Sequence, residues 1–190
     1  SPDLLLEASQ IARQISDINL KTMALTEIAL HTPSLTSELL ETARETTNEE
    51  LKVSVIFSIA SNLNSELLSE ATSIANSLGD PFQKFLALHS LSNIFTELLP
   101  RVIEVLDDIP FLFHRALALA HLAGELPDLQ LEVLQLTPKI PVEANRAWVL
   151  SMLAETLDVR LLSTELPLAR HISRTSSQAM ALTSLATKLP

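Results

Sequence analysis

One phrase of thirteen residues returns along this chain every 31 or 32 positions, and nothing else in the sequence constrains the fold as much. Its clearest copy is RALALAHLAGELP, from Arg115 to Pro127. Leu119, Leu122 and Leu126 fall at helical spacing there, and alanines fill most of the gaps, so local propensity and apolar pattern agree on a helix. Gly124 and Pro127 mark where it weakens and stops. The other copies begin at Lys21, Lys52, Lys84, Arg146 and Gln178, giving steps of 31, 32, 31, 31 and 32 over six repeats. A period held that closely predicts a repeat architecture.

Each phrase follows an earlier amphipathic stretch. In the first repeat this is Leu4–Ser16, with Leu4, Ala8, Ile11, Ala12 and Ile15 on one face. Nine residues before each phrase stand Ala12, Ala43, Ala75, Leu106, Thr137 and Ala169, and twelve beyond each start stand Pro33, Asn64, Thr96, Pro127, Asp158 and Pro190. The second set are helix stops or N-caps, so each repeat reads as two helices and two turns. Neither helix can bury its apolar face alone, so neighbouring pairs must stack. Pro138 and Pro141 shorten the fifth repeat's first helix, and Pro167 gives the sixth a kink or a late start. The expected fold is all-α: a right-handed α-solenoid of six helix pairs, about twelve helices, in one domain over residues 1–190. Its units run 1–33, 34–64, 65–96, 97–127, 128–158 and 159–190.

Composition narrows the function classes. Hydrophobic residues make up 47% and charged residues 19%, ample for a core. No stretch approaches the ~18 apolar residues of a membrane span, so no membrane insertion is expected. There is no cysteine, which removes disulfides and thiolate metal sites. The chain begins Ser-Pro-Asp, and with both ends near repeat boundaries it reads as a segment of a longer protein. A cytoplasmic location is expected. Net charge is −10, distributed as −13 over the first five units and +3 over the last. An acidic body without a basic stripe argues against nucleic acid and against an anionic membrane surface.

Antiparallel helix pairs with an Asp turn and a basic residue opening the second helix resemble HEAT-like α-solenoid repeats. Asp17 with Lys21 and Asp80 with Lys84 carry the resemblance, and Asn48 with Lys52 comes near it. It implies a ladder of turn acids and basic residues stitching neighbouring units. Phe111, Val142 and Arg174 stand where units four to six would need the acid. The A-L-x-x-L-A-x-x-L phrase with its final Pro is also similar to repeats appended to large bacterial signalling and scaffold proteins. Tetratricopeptide repeats are the rival, but their period of about 34 residues and their Trp/Gly/Tyr signature are missing.

Catalytic constellations are not found. His114 and His121 are seven apart, not the i, i+4 pair that chelates a metal, and Glu49-Glu50 and Asp107-Asp108 read as solvated or capping carboxylates. Gly-rich phosphate loops and nucleophile elbows are absent from a chain with two glycines. Neither a catalytic residue nor a metal or cofactor is expected, and the chain reads as a non-enzyme. A surface is the better candidate. In each phrase one stripe is core, while the opposite side lines the concave layer in the solenoids this chain resembles. That side holds Met23, Phe57, Leu86, His89, Leu117, His121, Trp148, Met152 and Met180. Met and aromatic side chains suit grooves that take an apolar helix or peptide.

The expected function is therefore a non-catalytic scaffold binding a protein partner's peptide or helix. Two alternatives are a regulatory or sensor array of a larger signalling ATPase, and a carrier or lyase-like module for an apolar pigment or lipid. Leu4, Leu5 and Leu6 at one end, and Ala181, Leu182 and Leu185 at the other, also predict self-association through open ends.

Overall fold

A computed structural model describes residues 2–187. The chain is all-helical, with twelve α-helices, short 3-10 turns and no strand among the described residues. The helices pair as the period requires. They are α1 (Pro2–Arg13) with α2 (Ile18–Ala29), α3 (Thr36–Glu45) with α4 (Glu49–Ile59), and α5 (Ser65–Asn76) with α6 (Pro81–Ser92). Then come α7 (Leu99–Leu106) with α8 (Leu112–Leu122), α9 (Leu129–Leu136) with α10 (Glu143–Thr156), and α11 (Leu162–Arg170) with α12 (Thr175–Ala186). The prolines act as expected. Thr137–Lys139 is a 3-10 turn that ends α9 early, and a 3-10 turn over Val159–Leu161 delays α11, which then runs through Pro167.

Contacts divide the chain into two compact units, Ser1–Val105 and Leu106–Pro190, the division falling within α7. In the first unit α4 packs against both α2 and α6, and α3 against α2, α4 and α5. In the second, α10 packs against α8 and α12, α9 against α8, and α11 against α12. Pairs stacking on neighbouring pairs is how helices too narrow to bury themselves make a shared core. The period predicts that core well. Ala12, Ala43, Ala75, Leu106, Thr137 and Ala169 are all buried, as are Leu25, Ile56, Leu88, Leu119 and Leu150 of the phrase.

The turn acids do different work from the ladder the resemblance implies. Asp17, Asn48 and Asp80 are N-caps, accepting the N–H of Leu20, Leu51 and Gln83 at 3.0, 3.0 and 2.8 Å. Each serves its own helix. Phe111, Val142 and Arg174 hold the same position in the last three repeats and make no side-chain cap.

Neighbouring repeats are joined by other residues. Glu49, first in α4, accepts the N–H of Gly79 at 2.6 Å and of Asp80 at 3.1 Å. Glu143, first in α10, does the same one repeat later in its own unit, taking the N–H of Ser173 at 3.1 Å and of Arg174 at 2.8 Å. The Ser173 hydroxyl adds a third bond at 2.7 Å. First helices are tied by Arg13 to Glu38 and Arg44 to Glu70, at 2.8 and 2.6 Å. In the second unit the buried Gln130 donates to the carbonyls of Ala123 and Thr156 and accepts from the N–H of Asp158. Every hydrogen-bonding atom of that amide is engaged, so its burial is tolerated. Gly124 is needed for closeness there, since a Cβ would come 2.9 Å from the Thr156 methyl.

Candidate functional site

The second helices are apolar nearly all round, so a residue opposite the core stripe can end in solvent or against the next pair. Of the nine residues expected on the binding face, Met23, Phe57, Trp148 and Met180 stand 54, 53, 54 and 43% exposed. Leu86, His121 and Met152 are half-buried. His89 and Leu117 are buried and belong to no open face. The His89 ring stacks on Phe85 one turn earlier, with centroids 5.5 Å apart, which turns it inward. Leu117 sits among the buried residues of α8, flanked by Ala116 and Ala118, where small neighbours let helices approach closely.

In the first unit, Met23 lies in a cleft of about 300 Å³ between α2 and α4. Thr26, Glu27, Asn48, Glu50, Leu51 and Ser54 complete its walls. The Thr26 hydroxyl donates to the carbonyl of Thr22 at 2.7 Å. Leu20 and Leu30 continue the Met23 edge at 57 and 55% exposed, and Phe57 continues the α4 edge. A larger cleft of about 490 Å³ lies on the first-helix side, between α5 and α7. Hydroxyls (Ser65, Ser69, Thr72 and Ser73) line it with Leu68, Leu98, Asn76, Glu97 and Arg101, and no aromatic side chain does.

In the second unit the exposed apolar groups form an aromatic cluster that the stripe argument does not find. The Phe113 ring lies 6.1 Å from Trp148 and 5.5 Å from His114, and Phe111 meets His114 edge-on at 5.8 Å. Phe111 is 64% exposed. The signal was present in Phe111 and Phe113, which stand at the N-cap position and in the first turn of α8.

Four carboxylates are shifted from their ordinary range. The bonds from Ser173 and Arg174 hold Glu143 down, and the Arg13 guanidinium lowers Glu38. Arg160 holds Asp158 at about 2. Burial alone pushes Glu165, fully enclosed on α11 with neither oxygen hydrogen-bonded, up to about 8. Among the described residues no group of three or more His, Asp or Glu is placed to hold a metal. No helix among them is long and apolar enough to cross a membrane.

Comparison with family models, with curated proteins and with solved structures finds no match. One end matches the sequence expectation and the other does not. Leu4 and Leu6 are exposed, but Ala181 and Leu185 are buried where α12 packs on α10 and α11.

Proposed function

We propose that this protein is a non-catalytic interaction scaffold whose second helices receive an apolar helix or peptide of a protein partner. The observation that carries this reading is the half-exposure of Met23, Phe57, Trp148 and Met180 above a core that other positions already close. Leu25, Ile56, Leu150 and Leu185 fill that core on the same four helices. Large apolar groups grouped on a surface mark contact sites, and Met and aromatic residues are favoured anchors. The net charge of −10 fits a protein partner better than a nucleic-acid backbone.

The test uses the single tryptophan. A random-peptide library displayed on phage is selected against the chain, and selected peptides are titrated against Trp148 fluorescence and, separately, by calorimetry. Binding that is lost in Met23→Ala or in Trp148→Ala, with both variants melting as wild type does, supports the scaffold. Selected peptides that bind both variants as tightly as wild type would end it.

A further inference from the structure

The cleft between α2 and α4 combines an apolar floor with an unbalanced charge. Ser1–Val105 carries six Lys and Arg against fourteen Asp and Glu, a net of −8, while Leu106–Pro190 carries seven against nine, a net of −2. Two of the first unit's six cations, Arg13 and Arg44, are already engaged by Glu38 and Glu70. Glu27 and Glu50, on opposite walls of the cleft, are exposed and make no hydrogen bond or ion pair. Between them lie Met23, Thr26 and Leu51, with Asn48 and Ser54 beside them. Leu20, Met23 and Leu30 form an exposed apolar strip along α2, and Phe57 is exposed on α4.

We propose that this cleft is the docking site for a basic amphipathic segment of a partner protein. Its apolar side chains would enter beside Met23, and its Lys or Arg residues would meet Glu27 and Glu50. The proposal rests on the scaffold reading and adds where the partner sits and what charge it carries. An acidic rim repels an acidic segment and lets a neutral one gain nothing, whereas a basic one is drawn in over several ångströms before contact. Met23 supplies the adaptable contact, since an unbranched thioether reshapes to the side chain it meets. Burying that apolar strip then holds the segment in place.

Peptides selected from the same displayed library are sequenced and titrated at low and high NaCl. The expected peptides pair Leu, Met or Phe at helical spacing with Lys or Arg. Met23→Ala should weaken them about tenfold, the effect of losing one good anchor. Glu27→Lys with Glu50→Lys should weaken them at least as much and should remove most of their salt dependence. All these side chains are exposed, and circular dichroism verifies that the variants fold.

Acidic or neutral peptides bound at the cleft would overturn the charge assignment. Peptides lost with Trp148→Ala and indifferent to the cleft variants would overturn the location and leave the scaffold reading standing. Sedimentation in which Met23→Ala abolishes self-association would name a second copy as the occupant and overturn the proposal. A library that yields no binder removes both readings together.

Discussion

The second helices of the first three repeats and those of the last three begin at the same point of the period, yet they are started differently. Asp17, Asn48 and Asp80 cap α2, α4 and α6 with their own carboxylate or amide oxygen. Phe111, Val142 and Arg174 give α8, α10 and α12 nothing of the kind. The helices nonetheless start at regular steps, because the buried stripe of the phrase fixes where each must lie against its neighbours. Capping adds stability to a start that packing has already chosen. Two other side-chain contacts tie the turns of the second unit without replacing the missing caps. Glu143 takes the amides at Ser173 and Arg174, and the Arg146 guanidinium donates to the carbonyl of Ile140 at 2.8 Å.

If packing sets the register in both halves, equivalent core truncations should hurt equally. Leu88→Ala on α6 and Leu150→Ala on α10, both fully buried, should each cost about 2–5 kcal/mol in denaturant melts. A loss confined to the capped half would mean that the uncapped half is held by something other than its core.

The next effect sharpens the contrast, because among the described residues only the second unit encloses an unpartnered carboxyl. Glu165 keeps its proton in the folded chain up to about pH 8, and the unfolded chain releases it near 4.5. Between those values the folded state binds more protons, so stability falls as pH rises and is fullest below 4.5. Glu165→Leu should flatten this slope and add on the order of 3 kcal/mol at neutral pH. Thermal melts between pH 4.5 and 8 measure it, and parallel curves for the two proteins would show that Glu165 is hydrated or paired in solution.

The smallest effect tests the caps directly. Asp80→Ala should cost about 1 kcal/mol, and Phe111→Asp, placed where the backbone is already extended, should add about 0.5 kcal/mol. Hydrogen exchange in the first turns of α6 and α8 should move in opposite directions. No change at either site would reduce the comparison to an accident of composition.

Much of the fold is legible in sequence because a period is a global statement. Six copies in register place every helix pair and the buried stripe, and even the early end of α9 follows from Pro138. What sequence could not give depends on partners far along the chain. Glu49 reads as a solvated carboxylate until the turn thirty residues later is beside it. His89 reads as part of an open face until α6 is seen packed, because its i−4 neighbour Phe85 does not by itself say which flank is covered. Glu165 counts as one more charge until its complete burial is seen. The exposed side of the second helices is legible in outline at Met23, Phe57, Trp148 and Met180, where side chains opposite the stripe do reach solvent. It fails at His89 and Leu117, because helices apolar on all sides do not declare which flank the next pair covers.

Glu49 and Glu143 grip main-chain amides, so the receiving turn is not tied to one sequence; one is Gly79-Asp80 and the other Ser173-Arg174. Only proline is barred there, and the turn before α10 has Pro141, while Leu112 rather than a Glu opens the second helix one repeat earlier. Such a joint works like a standard coupling. A repeat opening its second helix with Glu should accept any following repeat whose turn offers two free amides, whatever its sequence. Duplicated, deleted or transplanted repeats would then connect without new side-chain matching, so the array can change length while its outer faces diverge toward different partners.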